Sequence, residues 1–272
     1  MNTTKLDLNK LHPFAGHPYK VQDNEEMDAL VESIRMNGIL TPLIVRPLEN
    51  GEYEVISGHR RLYAAQKAGL ETVPAIILPM SRDEAAIAVV DSNLHREHLL
   101  PSEKAFAYKL KMEALNHQGV TSGQVGQKWS RDEVSDTDSG RQVQRYIRLT
   151  HLIPSILSMV DEGRIAFTPA VELSYLTQQE QQELAEEMAY ADATPSLSQA
   201  QRMREISRQG RLTTEVIYAI MSEEKANQKE RLKIPMERIR RFFPKSYTTA
   251  QIEEAVVKLC ERDYRRRTER DR

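Results

Sequence analysis

The chain has 272 residues, of which 40 % are apolar, 29 % charged and 6 % aromatic. That mixture suits helical modules with much solvated surface, and the length allows more than one domain. Cys260 is the only cysteine, no run approaches a membrane span and Met1–Lys10 lacks the apolar stretch of a secretory signal. An internal disulfide, a cysteine zinc site and two-thiol redox chemistry are excluded, and a cytosolic protein without membrane contact is expected.

In chain order, Met27, Leu30, Val31 and Ile34 recur at helical spacing, which predicts a helix over 23–36 opened by Asp23 and Glu26 as a capping box and stopped by Gly38. "LIVRP" and "YEVIS" flank "ENG", a hairpin pattern in which Asn50-Gly51 would form a type I′ turn. A helix from Leu62 to Lys67 stopped by Gly69, a β-rich "TVPAIIL" and a capping box Ser81-Arg82-Asp83-Glu84 follow. Residues 1–98 therefore read as one domain of alternating strands and helices.

Beyond Pro101 the β-rich runs largely disappear. Ser102 is placed to cap a long helix closed by Gly119. "TSGQVGQKW" and "SGRQVQRYIRLTHLI" are shorter helices around an acidic insert, "SRDEVSDTD", expected to be an exposed loop, with Trp129 as a core anchor. Helical stretches near 154–162, 168–189 and 196–209 complete a domain over 99–212. The Gly- and Pro-free 213–232 suits a helical linker. A basic unit over 233–272 ends in a helix from Thr248 with Ile252, Ala255, Val256 and Leu259 on one face, a stripe that calls for a partner. Residues 225–272 carry 15 Lys/Arg against 8 Asp/Glu, so an otherwise acidic chain ends on a basic segment. Such a segment fits a polyanion partner or a merely solvated helix face.

Two polar clusters carry the chemistry of the first domain. In "VISGHRRLYAA" a strand ends at Gly58 and a helix begins near Arg60, which leaves backbone N–H groups and the positive helix end facing outward. Arg60 and Arg61 add guanidinium forks that match phosphate oxygens, although a glycine turn with surface arginines gives the same pattern. "DSNLHREH" brings Asn93, His95 and Arg96 to the end of the same domain. His95, His98 and Asp91 lack a third ligand on one element, so no metal site is assigned.

"GHRRLYAA" paired with "SNLHRE" resembles the GERRxRA and ENxQR boxes of ParB-type partition proteins, with "HPYKV" and "GILTPLIVRP" in the matching order upstream. The variety on plasmids and other mobile elements of Gram-positive bacteria is the most similar. The resemblance implies an α+β N-terminal domain of the ParB and sulfiredoxin-like kind, an all-α helix-turn-helix domain and a small helical C-terminal dimerisation unit. It also implies CTP, with Mg2+ accompanying the nucleotide, at Lys20, Gly58, His59, Arg60, Arg61, Asn93, His95 and Arg96. Ser92 stands where the family has the Glu of its second box, Lys20 where it has the Gln of an upstream NPxQPR box, and His59 where it has the Glu of GERR. The first two family positions serve hydrolysis, so binding without turnover is expected and no catalytic residue is assigned.

The second of the paired helices, capped by Ser139, reads as the one that enters the major groove, with Val143, Ile147 and Leu149 facing inward. Arg141, Gln142, Gln144, Arg145 and Arg148 would lie on or beside its exposed face, within reach of phosphates or base edges. A plain helical hairpin is the alternative. The resemblance therefore points to a dimeric, nucleoid-associated clamp on a specific operator and on nonspecific DNA, with a ParA-type ATPase as a possible partner. A transcriptional regulator of the same architecture and a nuclease of the same fold remain alternatives. Sulfiredoxin chemistry needs a cysteine in the Gly-His-Arg turn, where Ser57 and Gly58 stand.

Overall fold

The computed structural model describes residues 2–96, 99–121, 134–135, 137–223, 236–244 and 246–270. The chain divides into two compact units, residues 1–223 and 224–272. The first begins with a five-stranded sheet made by β1 (Thr4–Asp7), β2 (Leu11–Pro13), β3 (Leu43–Pro47), β4 (Tyr53–Ser57) and β5 (Thr72–Ile77), in the order β1-β5-β3-β4-β2. The outer pair β1/β5 and the central pair β3/β4 are antiparallel, whereas β3/β5 and β2/β4 are parallel. β1 and β2 were not legible as strands, being only four and three residues long.

Strand alternation decides what each face covers. Leu43, Val45, Val55, Val73 and Ala75 turn to the side of Leu62 and Ala65 on α2 (His59–Ala68). Ile44 and Ile56 turn to the opposite side, against Ala85, Ala86, Val89 and Val90 of α3 (Arg82–Leu94). The helix α1 (Glu25–Asn37) packs Met27, Val31 and Ile34 on Ala64 of α2. The capping box at Ser81 forms as expected, its hydroxyl accepting from Glu84 N and the Glu84 carboxylate from Ser81 N.

Local chemistry changed two expected features of this domain. Asn24, not Asp23, caps α1 by accepting from Met27 N, because Asp23 is held by Lys67 at 2.5 Å. The hairpin turn is not type I′, since Gly51 has φ 79° and Asn50 does not share a positive φ. Gly51 N donates to Leu48 O and Leu48 N to Glu52 O, so the loop has three residues with glycine in the left-handed position.

The rest of the unit is helical: α4 (Pro101–Thr121), α5 (Gly140–Leu149), α6 (Pro154–Asp161), α7 (Phe167–Leu173), α8 (Gln178–Ala191), α9 (Leu197–Arg208) and α10 (Thr214–Met221). An α+β domain followed by helices is the expected architecture. Ser102 does not act as the cap of α4: its N–H and hydroxyl both donate to the Asp161 carboxylate, at 3.0 and 2.6 Å, and α4 runs past Gly119. The expected helix over 168–189 breaks into α7 and α8, because Thr177 and Glu180 form a capping box of their own. Residues 214–221 are packed, with Ile217, Ile220 and Met221 buried in the helical core.

Among the described residues, part of the acidic insert is not exposed as its composition suggests. Val134 and Ser135 are buried, and Asp138 bridges Lys104 at 2.6 Å and the Tyr108 hydroxyl at 2.5 Å, which ties the start of α5 to α4. "SGQVGQKW", with Trp129, lies outside the described residues. The second unit holds α11 (Met236–Arg240) and α12 (Thr249–Arg270). On α12 Ile252 is buried whereas Val257, Leu259 and Tyr264 are exposed. Among the described residues no helix is long and apolar enough to cross a membrane.

Candidate anion-binding site

The turn between β4 and α2 is set by Gly58, the N-cap of α2, at φ 105° and ψ 26°. A Cβ there would stand 3.1 Å from Arg61 Nη2 and 3.3 Å from Leu43, so glycine is required by both the backbone angle and the space. The first turn of α2 has no acidic residue, which leaves its N–H groups and positive dipole end open to an anion. Arg61 folds back to donate to the carbonyls of Thr41 and Pro42, and burial lowers its pKa without removing the charge.

A second wall comes from the end of α3. Asn93 is buried, and its amide nitrogen donates to Val89 O at 2.8 Å and Ser92 Oγ at 3.0 Å. That fixes the turn from which the exposed Arg96 projects, its guanidinium 5.9 Å above the Tyr19 ring.

The third wall is the segment 17–21, and buried carboxylates hold it in place. Glu54 on β4 is 2.6 Å from Arg46 Nε and accepts from Ala15 N at 2.8 Å. Glu103 in the first turn of α4 accepts from Lys20 N at 2.8 Å and Leu100 N at 3.1 Å. The Tyr19 hydroxyl donates to Val90 O at 3.3 Å. His17 stacks on His59 with ring centroids 3.6 Å apart.

These elements enclose a cavity of about 240 Å³ lined by His17, Tyr19, Lys20, Val21, Ser57, Gly58, His59, Arg60, Arg61, Ser92, Asn93 and Arg96. It holds four cations, and none of these lining residues is Asp or Glu. Burial, then His17 and Arg96, push His59 down to about 3; its Nε2 accepts from Phe14 N at 3.4 Å. Burial likewise lowers His17, whose Nδ1 donates to Tyr19 O at 2.8 Å while its buried Nε2 has no hydrogen-bond partner among the described residues. Both imidazoles are neutral near pH 7, so the positive charge belongs to Lys20, Arg60, Arg61 and Arg96.

Seven of the eight residues expected at a nucleotide site line this one cavity, although 76 positions separate Lys20 from Arg96. His95 does not: it is the exposed C-cap of α3 and points outside the lining. Asp91, the carboxylate considered from sequence, is likewise absent from the lining and pairs with Lys111 at 2.6 Å. Sequence reasoning missed His17, Tyr19, Val21, Ser57 and Ser92 as lining residues. The first three belong to the quoted "HPYKV", whose order was noticed but whose approach to Gly58 is made by the fold.

Residues 1–94 match the ParB N-terminal domain family. The nucleoid occlusion protein of Listeria innocua is 32 % identical over 178 residues, which are 65 % of this chain and 59 % of the relative. The chromosome-partitioning protein Spo0J of Thermus thermophilus is 34 % identical over 161 residues, 59 % of this chain and 55 % of the relative. The chain thus spans under two thirds of the length of these relatives. Among solved structures, the C-terminally truncated ParB of Caulobacter crescentus complexed to the centromeric parS site is 22 % identical. It covers 76 % of this chain and 99 % of that one, with a TM-score of 0.43.

Downstream of residues 1–94, α5 carries the residues expected to meet DNA. Its cap forms as read, Ser139 accepting from Gln142 N, and Val143 and Leu149 are buried. Arg141 and Gln144 are exposed. Arg145 instead donates to Thr168 Oγ1 at 2.9 Å and to Gln142 at 3.3 Å, over the Phe167 ring. Arg148 donates to Ser174 O at 2.7 Å and lies 4.1 Å from the Tyr175 ring centroid, which Arg204 also approaches, to 3.7 Å.

Proposed function

We propose that this chain is a ParB-like, sequence-specific DNA-binding partition protein whose N-terminal domain binds CTP. The observation that carries the reading is the cavity itself, in which Gly58, Arg60 and Arg61 of one box meet Asn93 and Arg96 of the other. An open helix N-terminus and four cations favour a polyphosphate over a singly charged ligand. Gly58 and the α2 N–H groups would take the phosphates, with Lys20, Arg60, Arg61 and Arg96 neutralising them. Glu54, Glu103 and His59 act as positioning residues, through the backbone of the 15–20 segment and Phe14.

In this reading α5 lies in the major groove of an operator, with Arg141 and Gln144 foremost and Gln142, Arg145 and Arg148 behind them. The basic C-terminal unit pairs two copies and adds nonspecific DNA affinity. Nucleotide favours closure of the two N-terminal domains, turning the dimer into a clamp that slides along DNA, in the cytoplasm on the nucleoid, with a ParA-type ATPase as its partner. Turnover stays at background, because neither Lys20 nor Ser92 can act as a carboxylate base. Among the described residues a nuclease reading finds no carboxylate cluster of the kind that metal-assisted phosphodiester cleavage requires.

Calorimetric titration of the chain with CTP, ATP, GTP and UTP, with and without operator DNA, tests this. Binding confined to CTP with no phosphate release supports it. No heat with CTP in either condition overturns it.

A further inference from the structure

A nucleoside triphosphate ordinarily travels with a divalent cation, and a protein that holds such a cation offers hard oxygen ligands, usually carboxylates. The cavity supplies no carboxylate for that role, only the Ser57 and Ser92 hydroxyls, the Tyr19 phenol and the Asn93 amide oxygen. Its lining side chains are four cations, two neutral imidazoles, a phenol, two hydroxyls, an amide and a valine.

The acidic groups around it are all engaged, Glu26 and Asp161 by cations of the lining itself. Glu26 pairs with Arg60 at 3.2 Å, and Asp91 with Lys111 at 2.6 Å. Glu103 accepts from two backbone N–H groups. Asp161 accepts from Ser102 and lies 3.5 Å from Lys20 Nζ. Among the described residues, no three His, Cys, Asp or Glu side chains are grouped closely enough to hold a metal ion. A divalent ion brought to the protein side of the bound phosphates would meet Lys20, Arg60, Arg61 and Arg96, all of its own sign.

Resting on the nucleotide reading above, we infer that this cavity binds the triphosphate without a protein-held divalent cation, its own four cations supplying the countercharge. A Mg2+ ion that arrives with the nucleotide is held by phosphate oxygens alone. Ser92 is the residue that keeps the site in this state. It is exposed at the rim beside Asn93, its hydroxyl donating only to Val89 O, so a carboxylate there would face the phosphates with no cation assigned to it.

The test titrates the full chain with CTP, and separately with inorganic triphosphate, in excess Mg2+ and in excess EDTA. Expected Kd values for CTP in the two media agree within about threefold. In Ser92→Glu, affinity in EDTA falls by roughly tenfold and Mg2+ restores it. The inference is overturned if the natural chain loses CTP binding in EDTA, or if Ser92→Glu binds equally in both media. Inorganic triphosphate bound in EDTA with no preference for CTP would end the CTP reading and leave the metal-free anion site standing. Binding of neither ligand in either medium ends both.

Discussion

The cavity of the N-terminal domain and the arginine-rich face of α5 look alike in sequence, each a short helix start dense in arginine, but the fold uses them differently. Arg96 has no ion pair among the described residues and projects into the cavity, and Arg60 shares only a solvated pair with Glu26. Arg145 and Arg148 have spent their donors on Thr168 and Ser174 and their planar faces on Phe167 and Tyr175. Cationic charge is most open to a ligand where the chain has not already used its hydrogen bonds, and Arg61, bound to the Thr41 and Pro42 carbonyls, is the cavity's exception. Arg141 and Gln144 of α5 meet that condition, whereas Arg145 and Arg148 would have to exchange partners.

The sharpest way to break the contrast is a pair of alanine substitutions. Arg96→Ala is expected to weaken CTP binding by tenfold or more, about 1.4 kcal/mol, with an unchanged melting temperature. Arg148→Ala should do the opposite, lowering stability by about 1–2 kcal/mol through the lost bonds to Ser174 and the lost stacking on Tyr175, with CTP affinity intact. Calorimetry and thermal melting of both variants decide it. If Arg148→Ala leaves melting unchanged and only reduces DNA affinity, its internal bonds are not structural and the two regions are alike after all.

A second effect comes from the two imidazoles of the cavity. His59 is pushed down to about 3, and His17 is lowered too, from an unfolded value near 6.5. Both therefore take up protons on unfolding, and stability rises with pH through that window. Their contribution is complete above about pH 6.5 and is lost as pH falls towards 3. Denaturant unfolding at pH 7.5 and 5.5 should show a loss on the order of 1 kcal/mol at the lower pH. His59→Gln, which keeps an acceptor for Phe14 N, should flatten that difference, and an equally steep dependence in the variant would remove His59 from its origin.

The same contrast explains what could be read in advance. The two boxes were legible because their glycine, arginines and asparagine cluster within short stretches, and the hairpin, α2 and β5 were legible because their periodicity is local. The partners of Arg148 were not, since Ser174 and Tyr175 are 26 and 27 residues away and nothing in "SYL" marks a guanidinium site. Composition likewise made the acidic insert look solvated, while Asp138 is held by Lys104 and Tyr108 from α4. The β1 and β2 strands are too short to show alternation. Their pairing with β5 and β4 is a tertiary fact.

The smallest predicted effect asks how free the cavity's charges are. Arg60 lies 3.2 Å from Glu26, both side chains being well exposed, at 43 % and 75 %. Such a pair is worth little to the fold, so Glu26→Gln should leave stability unchanged within a few tenths of a kcal/mol. An anion entering the cavity must nevertheless draw Arg60 from that carboxylate, and the neutral amide competes less. CTP affinity in Glu26→Gln should therefore rise about two- to threefold at low salt, with the gain shrinking as ionic strength increases. A fall in affinity instead would mean that Glu26 holds Arg60 in its binding position. Arg60 would then resemble Arg148, a cation whose internal partner defines its place.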